Sequence, residues 1–314
     1  MNAAHPTPRW TLSNGHVQTI CSSTWRRFKQ QRTAQDFQRN ASREIIDVLD
    51  GIRLQVWRSD VSPTAPAVGI LHGWLGSAQS GYVLSAAMRL QQAGFNVVRI
   101  NLRDHGDTAG LNRELFNSAR INEVIALVRK LADGYSQFGL MGFSLGGNFA
   151  LRVARATNLP TLAICPAIDP ALTMQCIDTG LAVYRLYFLR KWRRALAAKA
   201  AAFPQAFDFD QALRLTTVAT LTDLFVDRFS EFATTAEYFS HYDLRGDALA
   251  GVNALIVATR DDPVVPHSQF AGLPASLAID LLETGGHCAL LKNWRLETYC
   301  DDVAERYFRE RLPA

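Results

Sequence analysis

FGLMGFSLGGNFAL, residues 138–151, ends an apolar run and opens a helical pattern, with one serine at the joint. Phe138 to Phe143 reads as a buried strand. Phe149, Ala150, Val153 and Ala154 recur at helical spacing. Ser144 therefore falls on the strand-to-helix turn, and Gly142-Phe143-Ser144-Leu145-Gly146 fits the G-x-S-x-G pattern of a nucleophile elbow. The glycines have a steric reason, because side chains at these positions would collide with backbone at so sharp a turn. An ordinary tight turn has the same spelling, and it is the strand–turn–helix context that points to a nucleophile.

Outward from this turn, short apolar runs alternate with helical patterns. The runs are AVGILHG (67–73), FNVVRIN (95–101), QFGLMGF (137–143), TLAICPA (161–167), ALIVAT (254–259) and SLAIDLL (276–282). Runs of this length and β-branched content suit a parallel sheet buried on both faces. Ile121, Val124, Ile125, Val128 and Leu131 trace one helix face, and Leu296, Tyr299, Cys300, Val303 and Tyr307 another. Ahead of them, EIIDVL and IRLQVW flank Asp50-Gly51, a hairpin signal. Together these predict an α/β fold, a mostly parallel twisted sheet flanked by helices with right-handed crossovers.

The alternation fails once, over residues 168–250, which read as a helical lid inserted over the carboxyl ends of the strands. Residues 43–167 and 251–314 form the expected core, and residues 1–42 an N-terminal extension packing on it. The lid segment YRLYFLRKWRRALAAK (184–199) carries six Arg or Lys and no acid. It reads either as a solvated basic face or as a surface for lipid or anionic headgroups, giving peripheral membrane contact. Phe188, Trp192, Phe203 and Phe207 either line an apolar acyl pocket or pack the lid on the core.

The 314 residues are 48% hydrophobic and 20% charged, the balance of a globular protein, and a net charge of +4 is too mildly basic to argue for nucleic acid, so no nucleic-acid partner is expected. No apolar stretch is long enough for a transmembrane segment, and the first residues lack the pattern of a cleaved signal. Five scattered cysteines without a CxxC pair fit reduced thiols in a cytoplasmic protein. No metal or organic cofactor is implied.

A serine hydroxyl needs a base, and the base an orienting carboxylate; with an elbow of this type they follow in the order serine, acid, histidine. After Ser144 only His241, His267 and His287 remain. His287 is preferred, because Gly285 and Gly286 let the loop after the last strand swing an imidazole over the sheet. The acid should follow ALIVAT, where Asp261 and Asp262 both stand, and Asp262 is preferred. An oxyanion requires two backbone N–H groups. Leu145 supplies one, and the loop His72-Gly73-Trp74-Leu75-Gly76-Ser77 the other, through Trp74.

At these residues the sequence resembles the α/β-hydrolase superfamily and, within it, the YheT-like branch. The resemblance runs through Asn14-Gly15-His16-Val17-Gln18-Thr19-Ile20, HGWLGS (72–77), LFNSARINEV (115–124), GFSLGGN (142–148), DDP (261–263) and GGH (285–287). It departs at Leu102-Arg103-Asp104-His105-Gly106-Asp107-Thr108, nearer the RGHG loop of general esterases and lipases than the branch's small-residue loop. There Asp104 and His105 either touch substrate or are structural, and the structural role is preferred. GHVQT either lines the site or braces the fold. The resemblance implies an α/β-hydrolase fold and a serine carboxylic ester hydrolase acting on a small acyl ester or lipid. An acyltransferase on the same triad and a non-catalytic binding protein are the alternatives. Relatives that open epoxides or remove halogens need aspartate at the elbow, which Ser144 excludes.

Overall fold

The structure is a computed structural model describing residues 13–26, 29 and 32–313. Its eight strands are β1 (Ser42–Leu49), β2 (Ile52–Ser59), β3 (Ala67–Leu71), β4 (Asn96–Asn101), β5 (Phe138–Phe143), β6 (Thr161–Ile164), β7 (Ala254–Thr259) and β8 (Ala278–Leu282). They form one sheet in the order β1-β2-β4-β3-β5-β6-β7-β8. The β1–β2 hairpin turns at Asp50-Gly51, with Gly51 at φ 72°, and β2 pairs antiparallel with β4. All later pairs are parallel.

Alternate strand residues feed two cores. Phe138 and Leu140 of β5 join the cluster under α4 (Ile121–Ala132) and α5 (Leu145–Thr157). Met141 and Phe143 join the cluster under α3 (Gly81–Gln92) and α10 (Tyr299–Arg311). Leu296, expected on the α10 stripe, lies ahead of that helix at φ 63°, because Thr298 caps the N-terminus.

The chain fills one side of β3 with β4 and then crosses to the other side with β5. Such a switch leaves a crevice outside the carboxyl ends of the strands. The loops after β3 and β5 flank it.

Residues 168–250 contain no strand. They carry α6 (Pro170–Thr179), α7 (Ala182–Ala202), α8 (Val218–Phe229) and α9 (Thr235–Ser240). Asp169, Thr217 and Thr234 cap three of these by accepting from first-turn N–H groups. The basic stretch on α7 is not a uniformly solvated face. Lys199 is fully buried, and Arg185, Lys191 and Arg193 donate to the carbonyls of Asp178, Leu75 and Leu215. Arg190 and Arg194 are the exposed remainder.

Part of the extension lies outside the described residues. What is described includes α1 (Gly15–Cys21), capped by Asn14, and α2 (Gln35–Arg39). Neither has an apolar stripe; α1 instead buries Gln18 and Thr19, which is why periodicity did not reveal it.

Candidate active site

Ser144 sits between β5 and α5 at φ 54°, ψ −120°, a backbone state that costs a non-glycine residue on the order of 1–3 kcal/mol. Close packing holds it there. A Cβ on Gly142 would lie 2.1 Å from the Gly146 carbonyl oxygen, and one on Gly146 would lie 2.3 Å from that of His72. The elbow thus presses against the loop after β3, and no side chain fits between them.

His287 follows β8 and Asp262 follows β7. Ser144 Oγ lies 2.9 Å from His287 Nε2, and His287 Nδ1 lies 2.8 Å from Asp262 Oδ2. A carboxylate only accepts, so Nδ1 carries the proton and Nε2 is left to accept from the serine hydroxyl. Burial disfavours the imidazolium, but the charge and hydrogen bond of Asp262 outweigh it, and the His287 pKa is raised. Asp261 makes different contacts: its Oδ1 accepts from the N–H groups of Gly285 and Gly286, both at 2.9 Å. It shapes the histidine loop and does not touch the ring. His241 packs its ring at a tilt against Phe232, and His267 is exposed on the Arg260 carbonyl.

Trp74 and Leu145 border the same cavity as Ser144. Among the described residues, neither of their N–H groups has a hydrogen-bond partner. The residues around Trp74 are all tied down. Gly73 N–H donates to Tyr82 Oη at 3.0 Å, Leu75 N–H to His105 Nε2 at 3.1 Å, and Gly76 N–H to the Gly73 carbonyl at 2.9 Å. His72 and His105 each donate from Nδ1 to a carbonyl and accept an N–H at Nε2. That arrangement requires neutral rings, and burial drives the His105 pKa down to about 4 and that of His72 well below its ordinary value. His105 is thus a loop brace, as expected. Asp104 is bound to Lys199 and the Phe116 N–H.

Of the two roles the sequence left open for GHVQT the hydrogen bonds show the bracing one, and a further supporting group, Asn148, escaped sequence reasoning. Thr19 Oγ1 accepts the His287 N–H at 2.8 Å, and Gln18 Oε1 accepts that of Leu291 at 2.7 Å, so GHVQT braces the histidine loop. Asn148, at the end of GFSLGGN, donates to the carbonyls of Ala167 and Tyr242 and ties α5 to the helical segment. Only the unusual QT and N spellings hinted at them.

The cavity, about 110 Å³ in volume, opens to solvent. Phe188 and Trp192 of α7 and Phe225 of α8 line it, and Trp74 stacks on Phe188 at 5.4 Å. Phe203 and Phe207 do not line it; Phe207 stacks on Phe209 instead. The four aromatics expected as a group therefore split between pocket and packing. Two thiols adjoin His287. The Cys288 contact and burial hold Cys165 well above its ordinary pKa, and burial raises Cys288; neither is a ready thiolate nucleophile.

Solved structures with this fold include the esterase Pf2001 of Pyrococcus furiosus, 15% identical, with 87% of this chain and 93% of that chain covered at a TM-score of 0.55. Est1E of Butyrivibrio proteoclasticus, solved with ferulic acid bound, is 16% identical over 86% and 100% of the chains, TM-score 0.55. XC6422 of Xanthomonas campestris, an α/β serine hydrolase without a lid, is 16% identical over 88% and 96%, TM-score 0.51. At such identities the likeness is one of fold. No curated protein matches the chain. The model of the alpha/beta hydrolase family matches residues 70–306, three quarters of the sequence. With that match, the sheet order and the elbow in agreement, the chain belongs to the alpha/beta hydrolase family.

Proposed function

We propose that this protein is a serine hydrolase of carboxylic esters, with short- to medium-chain acyl groups as its substrates. The observation that carries the reading is the unbroken hydrogen-bond chain Ser144–His287–Asp262 with its hydroxyl end at an apolar cavity. Ser144 Oγ attacks the ester carbonyl while His287 Nε2 takes its proton and Asp262 stabilises the resulting imidazolium. The N–H groups of Leu145, at a helix N-terminus, and Trp74 receive the oxyanion. His287 then protonates the leaving alcohol and activates water to hydrolyse the acyl-enzyme.

On this reading residues 168–250 act as a lid that supplies the apolar wall of the acyl site. The bracing of His287 by GHVQT supports placing the chain in the YheT-like branch, and five unpaired cysteines support a cytoplasmic setting. No helix among the described residues is long and apolar enough to cross a membrane. Peripheral membrane contact through α7 would rest on Arg190 and Arg194 beside exposed Leu186.

A series of p-nitrophenyl esters from two to sixteen carbons tests the proposal, together with fluorophosphonate labelling. Turnover should extend across several chain lengths, because an apolar pocket discriminates by only about 1–3 kcal/mol per methylene. Ser144→Ala should abolish both turnover and labelling. A folded protein that neither turns over any ester nor labels would be a binding protein instead. Product analysis with added ethanol separates hydrolysis from acyl transfer.

A further inference from the structure

The proposed chemistry leaves two buried thiols beside His287 unused. Cys165 follows β6 and Cys288 follows His287, and both hold a left-handed backbone, at φ 45° and 53°. Non-glycine residues rarely keep that conformation without a compensating reason. Their side chains converge on the imidazole. Cys288 Sγ lies 3.8 Å from His287 Nε2, and Cys165 Sγ lies 3.4 Å from the Cys288 nitrogen. The two sulfurs and a His287 ring nitrogen all lie within 4.8 Å of one another, the one such grouping of His, Cys, Asp or Glu among the described residues.

Two thiolates and an imidazole are the donor set of a borderline-soft divalent cation. A tetrahedral Zn²⁺, about 2.3 Å from sulfur and 2.0–2.1 Å from nitrogen, spaces its donors roughly 3.5–3.8 Å apart. The Cys288–His287 separation is close to that spacing, and Cys165 Sγ lies within 4.8 Å of both other donors. Asp262, already bonded to the ring in the proposed triad, suits this role as well. By accepting the Nδ1 proton it makes the carboxylate–histidine pair that fixes metal-ligating imidazoles and turns Nε2 toward the ion.

We propose that Cys165, Cys288 and His287 Nε2 form an inhibitory site for a thiophilic divalent cation such as Zn²⁺, with Ser144 Oγ or a water as fourth ligand. Binding forms two metal–sulfur bonds and releases both thiol protons to solvent. The metal takes the Nε2 lone pair that otherwise accepts the Ser144 hydroxyl proton, so the serine loses its base. The metal site stands on this geometry alone; its inhibitory effect rests on the proposed hydrolysis.

Co²⁺ tests the site and Zn²⁺ the effect, both on the full chain with its thiols reduced. Co²⁺ should produce a thiolate-to-metal charge-transfer band in the near ultraviolet at one ion per chain, and Zn²⁺ should compete it away. Cys165→Ala and Cys288→Ala should each weaken the band. Each should also raise the Zn²⁺ inhibition constant, normalised to the variant's own metal-free rate, by more than the roughly 10–100-fold typical of changes around a metal's ligands. Cys288→Ser serves if the alanine variant fails to fold. Cys176→Ala, on α6, should leave the band intact. No band on folded protein, a band that survives both variants, or one lost in Cys176→Ala overturns the site. A normal band without inhibition of turnover overturns the inhibitory role. If no ester is hydrolysed at all, the band still decides the site.

Discussion

Asp262 uses one carboxylate oxygen on His287 Nδ1 and the other on the N–H groups of Val264 and Val265, at 2.8 and 2.9 Å, so its orientation is fixed before any substrate arrives. Its neighbour Asp261 holds the two glycine N–H groups that shape the histidine loop. An amide can still accept those bonds but cannot balance an imidazolium. Asp262→Asn should therefore reduce kcat by roughly 10⁴-fold, with Asp261→Asn affected only modestly; steady-state kinetics showing equal losses would remove the assignment. The pH profile gives a second reading. On the proposed mechanism hydrolysis needs neutral His287, and the pKa of that ring is raised from the ordinary 6.5. The acid limb of kcat/KM should therefore have its midpoint above 6.5, activity rising with pH through it. A midpoint at or below that value would mean that Asp262 does not couple to the ring.

The loop after β3 shows how one element prepares another. Neutral His105 takes the Leu75 N–H and Tyr82 Oη takes that of Gly73, which fixes the peptide of Trp74 between them. Replacing His105 by Leu leaves the part-buried Leu75 donor without its acceptor, at a cost toward the lower end of about 1–3 kcal/mol. If Trp74 receives the oxyanion, the same change should lower kcat by up to roughly 10²–10³-fold, the loss expected for one such donor, with KM nearly unchanged. Kinetics at saturating and limiting ester distinguish this from simple destabilisation, which lowers the thermal midpoint without changing kcat of the folded fraction. The GGH and HGWLGS spellings made these loops recognisable. The acceptors that hold them, Thr19 and His105, come from distant stretches of sequence, and so their partners were not legible.

Across the whole molecule, Lys199 joins the helical segment to the core. Its ammonium is buried with Asp104 at 2.8 Å and the Asn112 carbonyl at 2.6 Å, while Arg103 beside it bonds Glu123 at 2.6 Å. Burial pushes the Asp104 carboxyl up and the Lys199 ammonium down, so each depends on the other. Removing one partner of a buried pair costs about 3–5 kcal/mol, whereas replacing both is often neutral. Lys199→Met should lower the denaturation midpoint strongly, and Lys199→Met with Asp104→Asn should recover much of the loss. Additive losses in denaturant titrations would show that the two charges do not support one another.

The sequence by itself determined the alternation of strands and helices, the elbow at Ser144 and the candidate partners, because apolar period and glycine placement are local properties. Its basic stretch on α7 was misleading for the same reason. Charge counted along a chain does not tell whether a lysine reaches solvent or, like Lys199, a buried carboxylate. The tertiary structure alone decided between Asp261 and Asp262 as neighbour of the His287 ring, and it brought Thr19 to the histidine loop and Cys165 to Cys288. Those juxtapositions depend on how the parallel strands order themselves in the sheet, which folds separate stretches into one crevice.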